Sequence, residues 1–151
     1  MERIVVGVDR SASAQRALRW ALRHAADDDI VTAGHVWQAH RGSRLQVLSM
    51  AEIQRERPRG EAMVRGLVDE VVAELGGVSA AIEVVAYYGQ PRLWLVEMSE
   101  QADLLIVGRR GEGGFPGLHL GSVSSYVTHH AHCPVVVVRD GDEHGDDAEP
   151  R

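Results

Sequence analysis

The sequence predicts an α/β fold: a single domain built on one open parallel sheet with helices on both faces. Two observations carry this. Short runs rich in Val, Ile and Leu alternate along the 151 residues with longer amphipathic stretches, and apolar strands separated by helices belong to parallel sheets buried on both sides. The second is a glycine pattern, Gly108-Arg109-Arg110-Gly111, then nine residues, then Gly121-Ser122, set between an apolar run at 104–107 and a helix-forming segment. Strand, glycine-rich loop, helix is the order in which unpaired amides at a helix start hold a phosphate chain.

The elements follow in order. Residues 3–9, mostly Ile and Val, read as strand one. Residues 12–27 read as a helix, because Ala14, Ala17, Leu18, Ala21, Leu22 and Ala25 recur at three- and four-residue spacing. Residues 30–37 are the second strand, and 38–49 a less regular connection. Residues 50–75 form a longer helix with Val64, Leu67, Val68, Val71 and Leu75 as its core stripe. Pro58 and Gly60 are placed to interrupt its first half, and Gly76-Gly77 to end it. Residues 80–87 are strand three. Pro91 suits a first helical turn, so 91–101 is the third helix. Strand four is 103–107, helix four 121–131 and strand five 134–138. The crossovers should be right-handed.

Composition narrows the function classes. An apolar fraction of 44% is enough for one core. The apolar runs are too short to span a bilayer, so no membrane partner is expected. The N-terminus carries no leader pattern, and the lone Cys133 excludes an internal disulfide, so the expected location is cytoplasmic. A net charge of -6 argues against general nucleic-acid affinity. Six acids against one base fall in residues 140–151, which leaves -1 for the rest. The expected division is a nucleotide-binding domain over 1–139 and a disordered, solvated acidic tail over 140–151.

In the glycine loop, Gly108 and Gly111 let the main chain approach a ligand that a Cβ would block. Gly121 and Ser122 open the following helix, and Ser122 also reads as a helix cap. Gly113, Gly114, Pro116 and Gly117 suit a mobile surface loop equally well. Asp9 either accepts hydrogen bonds from a ligand, orients the turn after strand one, or serves the dipole of the first helix. His129, His130, His132 and Cys133 lack the spacing of a metal site, and Trp20, Trp37 and Trp94 read as packing residues, with Trp37 near the expected ligand pocket. No paired carboxylates, activated nucleophile or triad is placed for catalysis.

The glycine spacing resembles the ATP-binding signature of the universal stress protein family. The resemblance extends to Ile4-Val5-Val6-Gly7-Val8-Asp9 with Ser11, to His35-Val36-Trp37, to 102–108 and to 130–138, together covering about residues 3 to 139. It departs at Arg10, where the family often has glycine, and at His132, where proline is frequent. The resemblance implies strand order 3-2-1-4-5, with the ligand at the switch between strands one and four. It implies that Gly7, Val8, Asp9 and Val36 line the adenine and ribose pocket. Gly108, Arg109 and Gly111 would wrap the ribose and first phosphates, and Gly121, Ser122, Val123 and Ser124 the outer ones. The implied ligand is ATP, with Mg2+ held mainly by the phosphates. The implied protein is a stress-response regulator that pairs as a homodimer through strand five and acts on an unidentified protein partner. A slow ATPase or phosphotransferase, and a binder of cyclic AMP or another adenine nucleotide with a chaperone role, are the alternatives.

Overall fold

A computed structural model describes residues 1–112, 117 and 119–139. The expected tail, 140–151, lies outside the described residues, as do Gly113, Gly114 and Pro116. The chain runs β1 (Arg3–Gly7), α1 (Ala12–His24), β2 (Ile30–Trp37), β3 (Ala39–Arg41), β4 (Arg44–Gln46), α2 (Met50–Glu74), β5 (Ala81–Tyr88), α3 (Pro91–Ser99), β6 (Leu104–Gly108), α4 (Ser122–His130) and β7 (Val135–Val138). Five strands form one parallel sheet in the order β5-β2-β1-β6-β7. Numbered without the small hairpin, this is the expected 3-2-1-4-5.

Strand alternation divides the core in two. Ile4, Val6 and Val8, with Val31, Ala33 and Ile106, face α1 and α2, where Ala17, Leu18, Ala21, Val64, Val68 and Val71 meet them. Val5, Leu105 and Val107 face the opposite way, onto Leu95 of α3 and Val127 of α4. Leu18, Leu105 and Ile106 are fully buried. Burying each such side chain contributes about 1.5–3 kcal/mol.

The differences from expectation have local causes. α1 stops at His24 rather than at 27, because Asp29 draws the next segment off the helix. Its carboxylate accepts from the amides of Ala26 (2.8 Å) and Glu2 (2.7 Å). α2 is continuous through Pro58. That proline removes one amide on an exposed face, while a capping box at Ser49 and Glu52 starts the helix and buried Val64, Val68 and Val71 hold it down. Gly60 lets α2 settle on β5, since a Cβ there would come within 2.9 Å of Ala86 Cβ. The connection over 38–49 is a hairpin, not an irregular loop: β3 and β4 pair antiparallel around Gly42-Ser43. Gly42 adopts φ 62, as a two-residue hairpin turn requires. The Tyr88 hydroxyl donates to Gln46 O and pins this hairpin to β5.

Candidate functional site

A cleft of about 520 Å³ opens beyond the carboxyl ends of β1, β2 and β6. Chain connectivity leaves β1 on its two sides at this point, so the crevice sits where open parallel sheets hold ligands.

One wall is a strand edge. β1 ends at Gly7, two residues earlier than expected, whereas β2 runs on to Trp37. The last rung between them is the Val8 amide donating to Gly34 O at 2.8 Å. Peptide groups alternate sides along a strand. Gly34 O faces β1, so the N–H and C=O of Val36 face the same way, into space where no β1 residue stands opposite. Trp37 O faces the other side, where it accepts from Gly89 N at 2.9 Å. The cleft therefore receives one backbone donor and one acceptor from Val36. His35 braces this wall. Its Nδ1–H donates to Val8 O at 2.9 Å.

The opposite wall is the glycine loop with the start of α4. Asp9 ties this loop to α1: its Oδ1 accepts from the Ser11 amide (2.9 Å) and hydroxyl, and its Oδ2 from the Glu112 amide (3.0 Å). Ser11 in turn caps α1 by accepting from Ala14 N at 3.1 Å. A Cβ at Gly111 would stand 2.8 Å from Asp9 Oδ2, so its glycine makes room for that carboxylate. Gly108 makes room for α1 rather than for a ligand. A Cβ there would lie 2.6 Å from the carbonyl carbon of Ser13 and 2.7 Å from its O and Oγ.

Arg109 is held through its backbone. Its amide donates to Val138 O (2.9 Å), and its carbonyl accepts from Gly121 N (2.8 Å) and Ser124 Oγ (2.8 Å). The Gly121 amide, which its place in the glycine pattern suggests as a phosphate donor, is committed to this internal bond. Gly121 is also the N-cap of α4, at φ -73 and ψ 170, a conformation open to any residue. Ser122 is thus the first helical residue and not the cap. The amides of Ser122, Val123 and Ser124 have no acceptor inside the helix, as at any helix start, and Ser122 and Val123 line the cleft.

Of the residues singled out from sequence, Gly7, Val8, Asp9, Val36, Gly108, Gly111, Ser122 and Val123 line the cleft. Arg109, Gly121 and the buried Ser124 form the brace behind it instead. Sequence reasoning missed Gly34, His35, Pro91 and the lining role of Trp94. A usable signal was Gly34 itself, since an isolated glycine in a strand marks a close approach. The histidines of α4 serve the helix: His129 Nδ1 bonds Ser125 O at 2.7 Å and His130 Nδ1 bonds Tyr126 O at 2.8 Å. Burial pushes the Cys133 thiol up from its ordinary range, away from the thiolate. Among the described residues, no three His, Cys, Asp or Glu side chains gather to hold a metal ion, and no helix is long and apolar enough to cross a membrane.

The pattern of the universal stress protein family matches residues 1–139. The chain belongs to this family. Universal stress protein Rv2623 of Mycobacterium tuberculosis is 36% identical over 144 residues, covering 92% of this chain and 48% of the relative. The chain thus spans about half the length of the curated relatives it matches. The fold is shared with solved universal stress proteins. One is an Arabidopsis thaliana protein crystallised with AMP (22% identity, TM-score 0.62, covering 97% of this chain and 98% of that one). Another is a universal stress protein in complex with cAMP (22% identity, TM-score 0.62, 91% and 96%).

Proposed function

We propose that this universal stress protein binds ATP in the cleft between β1 and β6 and acts as a ligand-dependent regulator of a stress response. The observation that carries the reading is the pairing of two backbone features across one cleft: the Val36 edge on one side and the α4 amide terminus on the other. An adenine ring offers an amino donor beside a ring-nitrogen acceptor, which complement the Val36 carbonyl and amide. Guanine offers an oxygen acceptor and an N–H donor at the corresponding places, so donor would meet donor and acceptor would meet acceptor. The first amides of α4 then suit an anionic phosphate chain, favoured by the helix dipole. Relatives crystallised with AMP and cAMP support an adenine nucleotide as the ligand class. Mg2+ would take its ligands from phosphate oxygens and water, as it does with nucleotides generally.

The same reading places the protein in the cytoplasm and pairs it as a homodimer through β7. That strand lies at a sheet edge, and its four valines are half-buried in the single chain. A second β7 would cover the exposed edge. The complex with cAMP favours one rival, a cyclic nucleotide as the working ligand. Native mass spectrometry of freshly purified protein reports bound nucleotide and assembly together, and calorimetry then ranks ATP, AMP, cAMP and GTP. Binding of GTP as tight as ATP would overturn the adenine reading.

A further inference from the structure

We infer that Trp94 of α3 is the stacking wall for the adenine ring, an inference that rests on the nucleotide site proposed above. It begins with two glycines that stand side by side. Gly7 of β1 pairs in register with Gly34 of β2, at the end of the sheet that borders the cleft. Both positions turn toward α3. A Cβ at Gly7 would meet Leu95 Cδ1 at 3.2 Å, and one at Gly34 would lie 2.1 Å from Trp94 Cη2 and 2.6 Å from Cζ3. The paired glycines leave a hollow, and the benzo edge of the Trp94 indole is seated in it.

The indole is held from behind as well. The Tyr87 ring packs against it with centroids 5.5 Å apart at 35°, and the Arg57 guanidinium lies 5.8 Å from the centre of the Tyr87 ring. Trp94 is half-buried and lines the cleft. It is a fixed aromatic surface beside the Val36 edge rather than a residue consumed by the core.

The orientation of the base follows from the sheet. The N–H and C=O of a strand lie close to the plane of the sheet. A flat ring bonded edge-on to Val36 therefore continues that plane in the space β1 has left, and its two faces look toward the two helix layers. On the α3 side the cleft is lined by Pro91, Trp94 and Leu95. Of these only Trp94 is aromatic. Stacking is indifferent to what lies beyond the ribose, so Trp94 contributes equally to every adenine nucleotide. Phosphate number is read elsewhere, at α4.

The test combines binding with indole NMR. Single Trp20→Phe, Trp37→Phe and Trp94→Phe variants assign the indole signals of the native chain. On saturation with ATP, and equally with AMP, the Trp94 indole signal should move and that of Trp20, packed in the α1–α2 layer, should not. Trp94→Ala should weaken ATP and AMP by the same factor, at least about 10-fold, in line with the loss of one aromatic–base stack. Trp94→Phe should recover most of that loss. Because Trp94→Ala empties the hollow over Gly34, its fold is checked by unfolding midpoint. Should it not fold, the native-chain signals decide. If ATP binds while the Trp94 signal stays still, or if folded Trp94→Ala keeps wild-type affinity, the stacking role is overturned and the site survives. If the wild-type protein binds no adenine nucleotide, both readings fall.

Discussion

Substituting alanine at Gly108 and at Gly121 separates two glycines that look equivalent in sequence. At Gly108 the added Cβ would stand 2.6 Å from the Ser13 carbonyl carbon, a backbone atom in the first turn of α1. Relief requires β6 and α1 to move apart, and that strains the Arg110 amide bond to Ser13 Oγ, now 3.2 Å. Overpacking of this kind costs about 1–3 kcal/mol, and a backbone neighbour places the cost near the upper end. At Gly121 the nearest atoms to the added Cβ are Arg110 Cα at 3.4 Å, Arg109 O at 3.5 Å and Gly111 N at 3.6 Å. Those are ordinary contacts, and the backbone at φ -73 accepts any residue. The loss of chain freedom in the unfolded state then offsets any small strain, so the net change should stay within about 0.5 kcal/mol. Urea unfolding followed by circular dichroism measures both. Equal stability of the two variants, or Gly121→Ala the weaker, would refute the assignment of Gly108 to helix packing and Gly121 to an unstrained cap.

Three further predictions concern ligand and assembly. Ser122→Pro deletes an amide at the first helical position, where proline is tolerated, and the extended Gly121 before it is compatible. ATP affinity should fall about 10-fold further than in Ser122→Ala, and equal affinities in calorimetry would show that this amide holds no phosphate. Asp9→Ala frees Glu112 and Ser11. It should weaken ATP and GTP by a similar factor and keep their ratio, because the Val36 edge reads the base; a collapsed ATP-to-GTP ratio would assign base reading to Asp9 instead. Finally, Pro134 O and Val138 O accept from the amides of Leu105 and Arg109, so the intervening alternation turns the Val137 amide toward the free edge. Val137→Pro should leave the β6 ladder intact and shift a dimer to monomer in sedimentation; a dimer that persists would rule out pairing through this edge.

Much of the fold was legible because its signals are local. The Ala and Leu stripe of α1 and the apolar runs of β1, β2, β6 and β7 betray their period or their burial within a few residues of sequence. Pro91 and Gly76-Gly77 mark helix ends by backbone chemistry alone, and the spacing of the glycine pattern linked the chain to its family and so to the sheet order. The hairpin over 39–46 was within reach, through Gly42-Ser43, but its strands are only three residues long and carry little pattern. What each glycine is for could only be decided by tertiary structure. A missing Cβ at Gly108 serves Ser13, at Gly111 serves Asp9, and at Gly34 serves Trp94, and these partners come from elements far apart in the chain. The Val36 edge that borders the cleft likewise depends on β1 stopping before β2 does. Sequence determined the elements because each reports on its own neighbours; the cleft belongs to their packing, because its walls are defined by where one element ends against another.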